Sequence, residues 1–167
     1  MVSDFSLRDV VEDDLPIFFE HQLDPEATYM AAFTAKDPSD REDFANHWKG
    51  IMADDTVIIK TIVFNDQVVG HVLSYEESGK PEVSYWLGRA FWGQGFATQA
   101  LKIFLAEVIK TRPIYARVAK DNLASIRVLE KCGFVVIDEA KGFANARGEE
   151  VEELVLERRA SESDESQ

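Results

Sequence analysis

The sequence predicts a mixed α/β (α+β) domain with a mostly antiparallel central sheet of about seven strands, a central parallel pair and about four flanking helices. Three observations lead to this fold class. Short runs of β-branched and apolar residues recur at strand length along the chain. Segments with apolar residues at helical spacing separate some of these runs. In the second half, the order strand, helix, strand implies a parallel pair joined by a right-handed crossover.

The N-terminal part of the chain is expected to form one strand and one helix. Residues 5–8 alternate in character as a strand does, and Asp13 and Asp14 then open a helix. Its inner face would carry three apolar side chains, Leu15, Phe18 and Phe19. Residues 23–38 are expected to be irregular. The apolar island at 29–33 within them is either a plug of the core or a wall of a substrate site.

A second helix and an antiparallel meander follow. Ser39 or Asp40 caps the helix, and its apolar stripe consists of Phe44, His47, Trp48, Ile51 and Met52. On that stripe, His47 is expected to be a packed core residue. Strands are predicted at 56–64, 68–75 and 82–87, with turns at Asn65-Asp66 and at Gly79.

Two glycines stand between a predicted strand and the most regular helix of the sequence. Gly93 and Gly95 follow the strand, and the helix begins at Ala97. Its stripe runs through Ala97, Ala100, Leu101, Phe104, Leu105, Val108 and Ile109. Free backbone amides and the positive end of a helix dipole favour binding of a phosphate or pyrophosphate at such a place. The alternative is a tight loop without a ligand. Thr98 at the third glycine position argues against a dinucleotide-binding fingerprint, and no P-loop is present.

The last third predicts one more strand, a helix and a closing hairpin. The long helix should end near Thr111, before Pro113, and a strand should follow at 114–118. Asp121 or Asn122 caps the fourth helix, and Gly133 is placed to end it. Strands at 134–139 and 150–156 form the hairpin, with a polar loop of unusual length at 140–148. We expect a single domain over 1–159 and a disordered acidic tail over 160–167.

Composition limits the function classes. The chain has 167 residues and a formal net charge of −13, with 18 basic against 31 acidic residues. This balance argues against nucleic acid or an anionic membrane as partners, and it is compatible with a cationic substrate or with solubility alone. The single cysteine, Cys132, excludes an intrachain disulfide. We expect a cytoplasmic protein, monomeric or homodimeric. The histidines His21, His47 and His71 show no ligand spacing, so no metal is expected.

Two motifs in order resemble a known family. Residues 82–101 are similar to the acetyl-CoA motif of the GNAT acetyltransferases, Gln/Arg-x-x-Gly-x-Gly/Ala, which here reads Trp92-Gly93-Gln94-Gly95-Phe96-Ala97. Trp at the first position resembles the branch that includes the Rim-type ribosomal-protein N-terminal acetyltransferases. A second motif follows, with Asn122 and Ser125 before Glu130-Lys131-Cys132-Gly133-Phe134. The resemblance covers 5–158.

The resemblance implies an acetyl-CoA-dependent N-acetyltransferase with a primary amine as acceptor, a protein N-terminus or a small amine. Transfer would be direct, in a ternary complex. The alternative is an acetyl-CoA-binding sensor without turnover. The implied cosubstrate-binding residues are Trp86, Leu87, Gly93, Gln94, Gly95, Phe96, Ala97, Thr98 and Asn122. For Asn122, a role as helix N-cap explains the residue independently and is compatible with ligand contact.

The sequence determines the catalytic residues less fully than the cosubstrate-binding residues. In some relatives a glutamate on this strand accepts the amine proton, and Glu82 has a similar place; the alternative is a solvated glutamate at the strand start. Many relatives protonate the leaving thiolate with a tyrosine, but that position here is Leu129. Ser125 and, less well placed, Tyr85 are the alternatives, and Ser125 could equally serve the helix start. A strand-end amide near Leu87 would stabilise the oxyanion. Cys132 is expected to be a buried structural thiol.

Overall fold

The structure is a computed structural model, and it describes residues 4–160. The predicted acidic tail, apart from Ala160, lies outside these residues. Seven strands form one sheet in the order β1-β2-β3-β4-β5-β7-β6. The strands are β1 (Phe5–Asp9), β2 (Ile58–Phe64), β3 (Gln67–Glu77), β4 (Lys80–Leu87), β5 (Ile114–Ala119), β6 (Val135–Ala144) and β7 (Glu149–Arg158). All neighbouring pairs are antiparallel except β4 and β5. The fold class predicted from the sequence is therefore confirmed.

Within residues 4–160, five α-helices accompany the sheet, one more than predicted. They are α1 (Leu15–Gln22), α2 (Pro25–Ala31), α3 (Arg41–Ala53), α4 (Phe96–Ile103) and α5 (Leu123–Lys131). The additional helix is α2, in the segment expected to be irregular. Its start has a clear cause: the Asp24 carboxylate accepts from the amides of Glu26 and Ala27, and Pro25 occupies the first helical position.

Three further expectations were wrong in detail. The helix that begins after the glycines leaves α-geometry at Phe104 and continues as a π-helical turn, Phe104–Val108, so it ends before Thr111. The supposed long loop at 140–148 belongs mostly to β6, which pairs with β7 as far as Ala144 and Glu149, so only residues 145–148 form the turn. His47 is exposed, because only Phe44 and Trp48 of its stripe are buried on α3. A narrow helix face buries fewer positions than the apolar stripe suggested.

The predicted turns and caps are confirmed. Asn65 and Asp66 both have positive φ, as a two-residue hairpin turn between β2 and β3 requires. Gly133 has a φ of +91°, and the amides of Gly133 and Phe134 bond back to Glu130 and Leu129. This pattern of backbone bonds satisfies the last carbonyls of α5, so the chain can reverse directly into β6.

The sheet separates two apolar clusters. The larger one joins α4 and α5 to inward side chains of β2 to β5 and β7, including Val83 and Leu87 of β4. The smaller one contains Phe18, Phe19, Phe44 and Trp48 from α1 and α3. Within residues 4–160, no helix combines the length and the apolar character that crossing a bilayer requires.

Candidate active site

The central parallel pair opens towards the ends of its strands. In the described part of the chain, β4 and β5 pair at one register position, Glu82 with Tyr115. β4 continues to Leu87 and β5 to Ala119. A gap therefore lies between Leu87 and Ala119, at the carboxyl edge of the pair, where α/β sheets commonly bind ligands.

Backbone groups of β4 face this gap. The amide of Gly88 donates to Val69 of β3 at 2.9 Å, so the Val69–Gly88 pair is hydrogen-bonded and the Gly70–Leu87 pair is not. The alternation of an antiparallel ladder then directs the backbone of Leu87 away from β3, towards β5. The Leu87 carbonyl accepts from Trp92 Nε1 at 3.2 Å. The Leu87 amide is thus placed as a donor at the mouth of the gap.

The glycine cradle lies immediately after this strand end. Gly93 and Gly95 have φ of +75° and +81°, and Gly95 is the N-cap of α4. A Cβ on either glycine would meet no atom of the described chain within 4 Å, so the space in front of the loop is open. The side chains of Phe96 and Ala97 are buried in the main core. The first turn of α4 therefore presents its amides outward, with no side chain capping them.

A cationic cavity adjoins the cradle, and sequence reasoning missed it. The cavity has a volume of about 360 Å³ and lies one helical turn beyond Thr98, which contacts Cys132 in its wall. Its basic lining residues are Lys102, Lys110, Arg112, Lys131 and Arg158. Five of the 18 basic residues of an acidic chain thus line one cavity. The sequence shows that Lys102 follows Thr98 by one helical turn. It does not show that α5 and β7 bring Lys131 and Arg158 to the same cavity, which is visible only in the fold.

The beginning of α5 meets the gap and also holds α2. Asn122 is the N-cap, and its Oδ1 accepts from the Ser125 amide at 3.3 Å. Its Nδ2 donates to the Met30 carbonyl of α2 at 3.2 Å. The capping role is confirmed. The same side chain fixes the end of α2 relative to β5, a tie that the sequence did not reveal.

Tyr85 and Ser125 are brought together at the gap. The Tyr85 hydroxyl donates to Ser125 Oγ at 3.0 Å. Burial raises the pKa of the Tyr85 phenol to about 12, although its bond to Ser125 acts in the opposite direction. Both groups therefore remain protonated at neutral pH and can act as hydrogen-bond donors. Leu129 is buried one turn further along α5, so no hydroxyl stands at that position.

Glu82 lies at the closed end of the parallel pair. It is 3% exposed, so the solvated alternative for this residue is wrong. Its carboxylate accepts from Arg117 Nε at 3.2 Å and from the Tyr75 hydroxyl at 3.3 Å. Five residues of extended strand separate Glu82 from Leu87, about 16 Å at strand rise. The described structure does not bring Glu82 to Tyr85 and Ser125.

Cys132 is buried at the end of α5. Its Sγ lies 3.7 Å from the carbonyl oxygen of Thr98, and burial raises the pKa of the thiol. A raised pKa disfavours the thiolate, which is the reactive form. The setting supports the interpretation of Cys132 as a structural thiol. In residues 4–160, no group of three or more His, Cys, Asp or Glu side chains is placed to hold a metal ion.

The other side of the gap is formed by α1, α2 and the β6–β7 hairpin. Ala32, Ala119 and Ala144 pack together, which brings the end of α2 and the hairpin against β5. Arg89, just beyond β4, pairs with Asp24 and Glu26 of the α2 start. The imidazole of His21 packs against the backbone of Gly88, which follows β4. Trp86 faces this side too, because its register partner His71 contacts Phe18 and Trp48.

An open parallel pair beside a glycine cradle at a helix start is the arrangement that the resemblance to acetyltransferases implies. The comparisons with known proteins agree. Residues 4–135 match the acetyltransferase (GNAT) domain family. The chain belongs to the GNAT acetyltransferases, and it is accordingly an acyltransferase.

Individual relatives are distant but cover most of the chain. An uncharacterized N-acetyltransferase p20 of Bacillus licheniformis is 26% identical over 86% of this chain and 85% of its own. Mycobacterium smegmatis RimJ, solved with CoA-disulfide, has a TM-score of 0.78 at 20% identity and covers 93% of this chain and 82% of that one. A chimera of the spermidine N-acetyltransferase SpeG from Vibrio cholerae has a TM-score of 0.73 at 15% identity, covering 94% and 96%.

Proposed function

We propose that the protein transfers the acetyl group of acetyl-CoA directly to a primary amine within a ternary complex. The observation that carries this proposal is the gap between β4 and β5, which opens beside the cradle at Gly93 to Thr98. A thioester carried on a long arm can reach from the cradle into such a gap. The acceptor is a protein N-terminus or a small amine, and it approaches from the α1 and α2 side.

The cradle and the cationic cavity bind different phosphate groups of the cosubstrate. Amides from Gly93 to Thr98 bind the pyrophosphate, as expected for glycines before a helix. Lys102, one helical turn after Thr98, and Lys131 of α5 line the cavity and attract the remaining phosphate group of the cosubstrate. The backbone of β4 that faces the gap, at Tyr85 and Leu87, pairs with the pantetheine arm. Asn122 adds a polar contact at the opposite wall, and Trp86 lies behind Leu87 on the acceptor side.

The reaction requires an electrophilic carbonyl and a stabilised leaving group. The amine nitrogen forms a bond to the carbonyl carbon, and the Leu87 amide stabilises the oxyanion. The carbon–sulfur bond then breaks. Ser125, hydrogen-bonded by Tyr85, donates to the departing thiolate. The raised pKa of Tyr85 keeps the proton on the phenol, so Tyr85 continues to donate to Ser125 Oγ during the reaction.

The remaining proposals concern the setting of the enzyme. We propose a cytoplasmic protein, monomeric or homodimeric, that works without a metal and without nucleic acid or membrane partners. The acidic balance of the chain supports the exclusion of polyanionic partners. A sensor that binds acetyl-CoA without turnover is the second candidate, favoured by Leu129 at the position where many relatives have a tyrosine.

The test is a panel of acceptors with release of free CoA thiol as readout. The panel contains a peptide with a free α-amino group, its N-acetylated twin as control, and spermidine. We expect at least one amine to accelerate release over hydrolysis, and intersecting initial-rate lines when both substrates are varied. Cys132→Ser should keep most of the activity. Binding of acetyl-CoA without acceleration would favour the sensor, and parallel lines or an acetyl adduct on Cys132 would contradict direct transfer.

A further inference from the structure

We propose that the imidazole of His21 accepts the proton that the acceptor amine loses during acetyl transfer. The proposal deepens the proposed function and rests on it. His21 lies in the last turn of α1, a helix on the sheet face opposite α4 and α5. The cosubstrate groups described above approach from the α4 side, so His21 stands on the side left for the acceptor.

The position of the ring is fixed by the end of β4. A Cβ at Gly88 would lie 2.5 Å from His21 Nε2 and 2.7 Å from Cδ2, so the imidazole packs directly on the Gly88 backbone. Gly88 immediately follows Leu87, whose amide is the proposed oxyanion donor. Only a glycine at 88 permits this approach, because any side chain would collide with the ring. The contact therefore places a titratable group against the residue that follows the proposed oxyanion donor.

The ring has unused hydrogen-bonding capacity. His21 Nδ1 is buried and has no hydrogen-bond partner within the described chain. Trp86 Nε1 and His71 Nδ1, on the same sheet face, are buried without a partner there as well. Buried polar atoms in folded proteins are almost always bonded, so three such ring nitrogens near one strand end point to a polar ligand. An amine with its exchangeable protons supplies the donors that His21 needs.

Burial favours the basic, neutral form of His21, and the groups around the ring do not reverse this effect. Burial lowers its pKa, and the Glu20 carboxylate on the same helix opposes this only in part. From β3, His71 faces it as a neutral ring, because burial lowers the pKa of His71 to about 3. Beyond Gly88, Arg89 is paired with Asp24 and Glu26. From α3, His47 lies close enough to affect His71 and is exposed.

The proton balance of the step is complete. The amine nitrogen bonds to the carbonyl carbon, and its proton passes to the neutral imidazole, directly or through one water. The carbon–sulfur bond breaks as the thiolate receives a hydrogen bond from Ser125. His21 then releases its proton to solvent, and the departing thiolate takes up a proton from solvent to become the free thiol. Glu82, about 16 Å along the strand from Leu87 and held by Arg117, is the alternative base, and the two residues predict different kinetics.

The experiment compares His21→Gln with His47→Gln, an exposed histidine on the neighbouring helix. For His21→Gln we expect kcat with the best amine to fall by at least about 10², the lower range of general-base catalysis. Acetyl-CoA affinity, measured by calorimetry, should change less than about twofold, since His21 does not touch the cosubstrate site. Because burial lowers the pKa of His21 below the ordinary value of about 6.5, the wild type should lose kcat/KM on the acidic side of that value, and this acidic limb should disappear in His21→Gln. His47→Gln should match the wild type in all three.

A second variant keeps the test independent of packing changes. His21→Ala leaves room for free imidazole, which should restore part of the rate in a concentration-dependent way. A loss of kcat below about fivefold in His21→Gln, an unchanged acidic limb, or no rescue of His21→Ala would overturn the assignment. If the wild type itself shows no amine-dependent turnover, the proposed function fails and the role of His21 fails with it. If the wild type acetylates the amine and His21→Gln remains as active, only the role of His21 is contradicted.

Discussion

The two faces of the sheet are built in different ways. On the α4 and α5 face, one apolar cluster runs from β2 to β7, and the proposed cosubstrate site begins at the backbone amides of a loop and a helix start. On the α1 and α3 face, aromatic rings pack around histidines, and buried ring nitrogens lack partners within the described chain. The first face suits a ligand shared by a whole family, because backbone amides need only glycines to be exposed. The second face carries the proposed proton acceptor, His21.

The two faces also differ in how far apart in the sequence their functional residues lie. The cradle spans Gly93 to Thr98, so its geometry is local. The acceptor side draws on α1, α2, β3, β4 and β6, which lie far apart in sequence. A local motif can be recognised from spacing alone, whereas a site assembled from distant elements becomes visible only in the fold. The same difference predicts that changes on the first face affect binding and changes on the second affect chemistry and pH dependence.

The largest effect is expected for Gly95→Glu. The new side chain would place a carboxylate in the open space before the α4 amides, and φ of +81° is strained for any side chain. Acetyl-CoA at 100 times its dissociation constant should stabilise the wild type by about 2.7 kcal/mol, and the variant not at all. Thermal denaturation with and without the ligand measures this.

The matched control is Gly79→Glu. Gly79 has φ of +78° and equally open surroundings, but it lies in the β3–β4 turn at the other end of the strand. It should lose a similar amount of intrinsic stability and retain the full stabilisation by ligand. An undiminished ligand effect in Gly95→Glu would show that the cradle does not bind acetyl-CoA.

The success of the sequence predictions also depends on whether a feature is local or joins distant residues. The strands, the Asn65-Asp66 turn, the Asn122 cap and the end of α5 at Gly133 depend on neighbours a few residues away, and these are confirmed. Helix α2 was missed although Asp24 and Pro25 are strong start signals, because an apolar island suggested a loop. His21 could not be recognised as a site residue, because its contact with Gly88 joins residues 67 positions apart.

An intermediate effect is expected for Glu82→Gln, and it separates the two candidate bases. As the base, Glu82 would lower kcat by at least about 10² when lost, with acetyl-CoA affinity unchanged. Its bonds with Arg117 and Tyr75 predict instead a loss of about 1–3 kcal/mol in unfolding free energy, with kcat of the folded enzyme within about fivefold. We expect the second result.

Glu153→Gln is the control for Glu82, because it removes the other carboxylate that accepts from Arg117, at 3.2 Å. Urea denaturation and kcat are measured for both variants. A large fall in kcat for Glu82→Gln alone, with stability preserved, would assign the base to Glu82 and contradict the role of His21.

The smallest effect concerns His71, and it tests whether the acceptor face makes stability depend on pH. Burial lowers the pKa of His71 to about 3, so the unfolded chain binds a proton near pH 6.5 that the folded chain does not bind. Stability is then complete above pH 6.5 and declines as the pH falls below it. For this residue the decline between pH 6.5 and 5.5 is about 1 kcal/mol. His71→Leu should lack that part of the decline, and the exposed His47→Leu should keep it. Urea denaturation at a series of pH values provides the comparison. If the wild type and His71→Leu declined in parallel, His71 would be charged or solvated in the folded protein, and the description of this face as a dry cluster of neutral rings would be wrong.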